Sequence, residues 1–402
     1  MEKINDRLFA KRKAVLSEVR IMAIDTTGLY KDIMEHLSRR MMFHEELGPP
    51  PICSIGAMIA NLRQRDNPFH WVGGNAEDLG LNLTFVAPSG LAKSHSMKQF
   101  LGRRFGICPL HSVFTGKITE AGFVGTIKED SPVFGLAFEY REGIVAFNEI
   151  SNLFMTQQQD HSTELINQVM EALTERQIHK RLASGAIHYD TWVTIWGGIQ
   201  PARFDFSQGL GRRFCFVARS WTQKDLDSLK DLRLDRSEKT AIDETEVRDL
   251  RDRILQCREK FAPKEVQWQG DILKEIKTMC DSHLQMQMVE RVLIGKETLD
   301  QYDLDVLTIQ DTQENKDIIS MMLSMQKMVA EGSDISLLIN VLQDSPTRTL
   351  SISQLWDRFR IFNYNLGGLQ ELLTSARKLR VVEIRTIDNQ QCVILRKNVR
   401  ER

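Results

Sequence analysis

LNLTFVAPSGLAKS, residues 81–94, decides the fold class. The run Leu83, Thr84, Phe85 and Val86 is apolar or β-branched and reads as a strand buried on both faces. A turn of small residues follows, and Lys93-Ser94 opens the helix beyond it. A strand, a tight turn and a helix start in that order are built to hold phosphate, because the backbone N–H groups of the turn and of the helix N-terminus wrap an anion. In this reading Ala87, Pro88, Ser89, Gly90, Leu91 and Ala92 form the cradle. Lys93 neutralises the β- and γ-phosphates of ATP, and the Ser94 hydroxyl holds Mg²⁺. Against the pattern GxxxxGK[ST], Ala87 and Ala92 stand where the framing glycines would be.

A second element lies downstream. GIVAFNE, residues 143–149, is another buried-strand run, and it ends in Asn148-Glu149. A strand end of this kind supplies a Mg²⁺ partner and then a carboxylate that polarises the attacking water. Asn148 takes the first role and Glu149 the second. An amide at position 148 brings the metal only a dipole where an aspartate would bring a full charge.

Outward from these motifs, the 402 residues divide into four parts. Residues 1–48 read as a charged, helical, Met-rich segment stopped at Gly48 by the run Pro49-Pro50-Pro51. Residues 49–221 alternate short apolar runs with amphipathic stretches, the pattern of an α/β domain on a parallel sheet. Further strands are expected at residues 192–196 and 214–217. Residues 222–345 lose the strand signal and read as an all-α lid, with helices over 224–259, 271–293 and 314–328. Its methionines at helical spacing read as core filler. Residues 346–402 carry two short helices and then strands over 381–385 and 391–395, the order of a winged helix.

Composition narrows the partners. A formal charge of −1 gives no global field for nucleic acid, so DNA contact must come from local patches. No apolar run approaches the length of a membrane span, and the charged N-terminus has no signal core, so a cytoplasmic protein without a membrane partner is expected. Six cysteines without paired spacing fit a reducing compartment and no zinc site.

The form APSGLAKS, with alanine before Lys-Ser, resembles the minichromosome maintenance (MCM) helicases of the AAA+ ATPases. The likeness continues in order through Thr115-Gly116-Lys117, Ala121-Gly122-Phe123-Val124 and GIVAFNEIS at 143–151. It extends through residues 165–187, similar to the family's helix and presensor hairpin, and through Gly209-Leu210-Gly211-Arg212-Arg213-Phe214. The resemblance covers about residues 80–220 and implies an AAA+ fold and an ATP-driven, homo-oligomeric, hexameric ring acting on DNA. It also implies an arginine finger at Arg213, with Arg212 the alternative bearer, and DNA-gripping basic residues on the hairpin at Lys180 and Arg181. Gln200 stands at the family's sensor asparagine and can still hydrogen-bond a γ-phosphate or water. The family's zinc-bearing N-terminal domain has no counterpart in this sequence.

Arg377, Lys378, Arg380, Arg396, Lys397 and Arg400 form a local basic patch in the winged tail, suited to DNA. Protein contact is the other use of such a module. Three functions stay open: a DNA helicase or remodeller, a nucleotide-gated DNA-binding or loader protein with little hydrolysis, and a protein-remodelling AAA+ ATPase.

Overall fold

The computed structural model describes residues 28–66, 78–87, 93–102, 104–116, 119–129, 131–150, 160–182, 185–200, 213–219, 225, 227–228, 243–331, 338–339, 341–342, 345–360, 366–378, 381–387 and 390–396. The chain opens on α1 (Leu29–Ser38), the single turn α2 (His44–Leu47) and α3 (Pro49–Asp66). Next come β1 (Asn82–Val86), α4 (Lys93–Leu101), β2 (Ser112–Thr115), α5 (Glu120–Phe123), β3 (Gly125–Lys128), β4 (Ser131–Phe134) and α6 (Leu136–Glu139). Then follow β5 (Ile144–Phe147), α7 (Asp160–Thr174), β6 (Gln177–Leu182), β7 (Gly185–Asp190), β8 (Thr194–Ile199) and β9 (Phe214–Ala218). Beyond them lie α8 (Glu244–Lys260), β10 (Glu265–Trp268), α9 (Ile272–Met279), α10 (His283–Asp300), β11 (Val306–Ile309) and α11 (Gln313–Glu331). The last elements are β12 (Thr349–Ser351), α12 (Ile352–Phe359), α13 (Leu366–Lys378), β13 (Val382–Ile387) and β14 (Gln390–Leu395).

The fold is mixed α/β, centred on a parallel sheet of five strands in the order β2-β5-β8-β1-β9. Every residue of β1, β5, β8 and β9 is buried, as strands covered on both faces must be. Strand β1 therefore sits inside the sheet, between β8 and β9. The chain leaves β1 for the far edge at β2, whereas it leaves β8 across β1 to β9. Connections that depart in opposite directions from neighbouring strands open a crevice at their carboxyl ends, which is where open α/β sheets bind ligands.

α3 ties this sheet to the helices that follow. Ser54 Oγ donates to Leu81 O at 2.6 Å and accepts the indole N–H of fully buried Trp196 at 2.9 Å. On its other side α3 meets α10 backbone to backbone. A Cβ on Gly56 would lie 1.9 Å from Gly295 O, and one on Gly295 would lie 2.0 Å from Cys53 O. Only glycine permits that approach.

Three expectations need correction. The prolines do not close a helix at Gly48; they open one, occupying the first turn of α3, where a missing N–H costs nothing. The lid region is not all-α, because β10 and β11 form a parallel pair within it. Their alternation is only four residues long, and Val266, Leu307 and Ile309 bury its inward side. The helix expected over 271–293 breaks at Cys280–Ser282, where Ser282 caps α10 by accepting from Gln285 N. Among the methionines, Met322 and Met325 are buried in the core as filler, while Met279 is exposed.

The C-terminal region has its own core, including Leu350, Leu355, Phe359, Leu369 and Val393. Two helices pack on a three-stranded antiparallel sheet, β12-β14-β13. Its strand β12 was not expected. Ser351 ends that strand and starts α12 with a reciprocal capping box to Gln354.

Candidate functional site

Residues from three adjacent strands meet at the carboxyl edge of the sheet. Lys93 and Ser94 open α4 after β1; Asn148 and Glu149 follow β5; Gln200 follows β8. Pro88, Ser89, Gly90, Leu91 and Ala92 lie outside the described residues. Ala87 is buried, and its N–H donates to Ile199 O at 3.2 Å, pinning the loop's entry to β8. The Lys93 ammonium donates to Ala87 O at 2.5 Å and so links the end of β1 to the start of α4. Ser94 Oγ donates to Asn148 Oδ1, so the two residues expected at the metal are in direct contact. Both are oxygen donors, suited to a hard cation such as Mg²⁺. Both are neutral, so a cation held there would need negative charge from elsewhere, and Glu149 is the adjacent carboxylate.

A residue pair that sequence reasoning missed makes this convergence possible. Asn148–Ile150 folds across β8, with Ile150 N donating to Gly198 O at 2.9 Å. A Cβ on Gly198 would lie 2.6 Å from Asn148 O and 3.5 Å from Lys93 Cδ, and one on Gly197 would strike the Ile150 side chain at 2.4 Å. Two glycines inside a buried strand are the signal that another backbone passes close by.

Arg213 stands at the opposite edge. It immediately precedes β9, whose first residue pairs with Asn82 at the start of β1. Its Nε donates to Thr174 Oγ1 at 2.8 Å, at the end of α7. The whole of β9 separates it from the Lys93 edge, about 16 Å at the rise of a parallel strand. There it lines a cavity of about 730 Å³ together with Asp78, Thr174, Gln287, Met288 and Arg291. Arg212 lies outside the described residues.

The hairpin reverses one expectation. β6 and β7 pair antiparallel in the register Leu182↔Gly185, Arg181↔Ala186, Lys180↔Ile187 and His179↔His188. Alternation turns Ile178, Lys180, Ile187 and Tyr189 inward, and all four are buried. Lys180 is only 8% exposed and ion-paired with Glu120 at 2.5 Å, so it braces the hairpin and is not a free phosphate contact. Arg181 is exposed, on the outward face with Gln177, His179, Ala186, His188 and Asp190.

In the C-terminal region Arg377 and Arg396 are exposed, and Arg396 N donates to Val381 O at 3.1 Å. Arg385 is committed to Glu383 through two bonds of 2.8 and 3.1 Å, and its guanidinium holds that carboxyl below the usual range. The Lys378 side chain, Arg380, Lys397 and Arg400 lie outside the described residues.

Among the described residues no helix is long and apolar enough to cross a membrane. A scan against models of known protein families finds no match for this chain, and a search of the curated proteins finds none either.

Proposed function

We propose that the chain is an ATP-hydrolysing AAA+ subunit of the MCM-like kind, which works on DNA in a homo-oligomeric, hexameric ring and carries a winged helix in residues 346–402. The reading rests on the meeting of Ser94 with Asn148 beneath Lys93, at the switch point between β1 and β8. Lys93 would offset the charge of the β- and γ-phosphates, Ser94 and Asn148 would hold Mg²⁺, and Gln200 would contact the γ-phosphate or the water. Bound Mg²⁺ would supply Lewis-acid charge to the phosphoryl oxygens. Glu149 would orient and polarise the attacking water, and Arg213 would serve a neighbour's site.

The test is ATP binding and turnover, with and without single-stranded and duplex DNA. Lys93→Ala should remain folded by circular dichroism yet bind ATP roughly 10- to 100-fold more weakly, the loss of one charge-assisted contact. An unchanged affinity would sink the nucleotide site. Glu149→Gln should keep binding and lose roughly a hundredfold or more in turnover. The amide of Asn148 favours a second reading, a nucleotide-gated DNA-binding or loader protein with little hydrolysis. Under it, wild-type turnover is near background and Asn148→Asp raises it. A protein-remodelling role has less support, because the outward face of the hairpin carries Gln177, His179, Arg181 and His188 and no Phe, Tyr or Trp.

DNA contact divides the two hairpin cations. Arg181→Ala should weaken binding to any DNA sequence alike and lower the slope of log K against log salt by about 1, with the melting temperature unchanged. Lys180→Met should do the reverse. It strands Glu120 beside the buried stem, at a cost of about 1.5–3 kcal/mol in stability, and leaves the salt slope intact. Equal effects of the two substitutions on DNA binding would refute this division.

A further inference from the structure

The outward face of the β6–β7 hairpin holds a feature that the ATPase reading does not use. His179 and His188 are direct cross-strand partners. Both are exposed, their ring centroids are 5.5 Å apart, and their planes are inclined at 72°. We propose that this pair is a two-nitrogen chelating site for a divalent transition-metal ion of the Zn²⁺ or Cu²⁺ class.

The spacing carries the argument. Imidazole nitrogens bind such ions at about 2.0–2.1 Å, so two rings sharing one ion at a right to tetrahedral angle have centroids roughly 4.5–5.1 Å apart. The observed separation differs from that range by a small side-chain rotation. No backbone movement is required, and the backbone is held firmly. Ile178 and Ile187 are fully buried beneath the pair, Tyr189 Oη donates to Val124 O at 2.8 Å, and Lys180 is fastened to Glu120. Ligands on a rigid, pre-formed platform lose little freedom on binding.

The ligand set selects the ion. Imidazole suits Zn²⁺, Cu²⁺ and Ni²⁺, and the affinity order places Cu²⁺ highest. Asp190, the next outward position on β7, supplies a nearby negative charge. Among the described residues no group of three or more histidine, cysteine or carboxylate ligands is gathered anywhere. The pair supplies two protein nitrogens, and water or an anionic donor would fill the remaining positions. It shares no residue with the candidate nucleotide site at the sheet edge.

The experiment titrates Cu²⁺ into the full chain, freed of any affinity tag, and counts directly bound nitrogens by electron paramagnetic resonance. One equivalent should bind with two imidazole nitrogens. His179→Ala and His188→Ala should each weaken binding on the order of a hundredfold, because the second imidazole then no longer acts intramolecularly. Each should also leave one nitrogen in the spectrum. Gln177→Ala, at the next outward position on β6, should change neither property. A single nitrogen in the wild type, or equal affinity in the wild type and His188→Ala, overturns the site. Both histidines are exposed, so the variants stay folded and the result is readable.

Discussion

Arg213→Ala subunits should bind ATP with wild-type affinity and hydrolyse it on the order of 10³–10⁵-fold more slowly, the loss that follows removal of a trans-acting arginine. The geometry makes this a test of assembly. Arg213 stands before β9, and Lys93, Ser94 and Asn148 stand beyond the ends of β1 and β5, at the other edge of the same sheet. The length of β9, about 16 Å, is more than an arginine side chain spans, so Arg213 cannot serve the pocket of its own chain. Mixing Arg213→Ala with Lys93→Ala subunits should therefore restore turnover. The first type contributes an intact pocket and the second an intact arginine. Recovery in mixtures at fixed total protein is the measurement. No recovery, together with a wild type that sediments as a monomer in ATP, removes Arg213 from catalysis. Arg212→Ala, assayed in parallel, assigns the role to one of the two neighbours.

Gly295→Val should cost more than about 3 kcal/mol and leave a chain that no longer melts cooperatively at ordinary temperatures. A single Cβ at position 295 already falls 2.0 Å from Cys53 O and 2.9 Å from Ala57 N, both backbone atoms of α3. Backbone cannot swing aside as the end of a flexible side chain can. Valine adds two methyl groups to that overlap, so α3 and α10 must separate. Their separation exposes Ile52, Ile55, Ile59, Val292 and Leu293, all buried at present. The gain in helix propensity on replacing glycine is about 1 kcal/mol at most and does not offset it. Gly116→Ala is the control, since a Cβ there meets nothing within 4 Å, and its melting temperature should match the wild type. A cooperative Gly295→Val transition near the wild-type temperature would contradict the helix contact described above.

The parallel sheet was legible because its interior strands are buried on both faces. Runs such as Leu83–Val86 and Ile144–Phe147 are nearly pure in apolar residues, and only a two-sided core rewards that. Edge strand β2 was not legible. Ser112–Thr115 is half-buried along its length, and its mixed composition looks like any loop. The expected strand over 192–196 was cut short at Gly197-Gly198, yet β8 runs on to Ile199 through those glycines. They are there for the backbone that crosses them, which no local pattern records. The motifs of the candidate site were readable as strings, and each was placed after its strand. Their convergence depends on the order of strands, a long-range property. Lys180 shows the other limit: a lysine on a hairpin reads as solvent-facing until alternation, counted from its inward neighbours Ile178 and Tyr189, turns it toward Glu120. Prolines 49–51 could mark either end of a helix, and only the packing of α3 on the sheet decides.

If Arg213 serves a neighbouring subunit, its separation from the Lys93 edge bears on how the subunits join. In an isologous two-fold dimer group i of one subunit meets group j of the other and j meets i, so a single patch holding both pocket and arginine completes two sites at once. Where the two lie on opposite faces of the subunit they are matched by a heterologous joint, in which each subunit presents its front to the back of the next. Such joints either close on a rotation axis or continue as a helical fibre. An unclosed row of n subunits has n − 1 completed sites, because one terminal pocket receives no arginine and the arginine at the other terminus serves no pocket. Specific activity should then climb with chain concentration until rows close, and a substoichiometric subunit lacking Arg213 would act as a terminator, silencing one site for each copy incorporated.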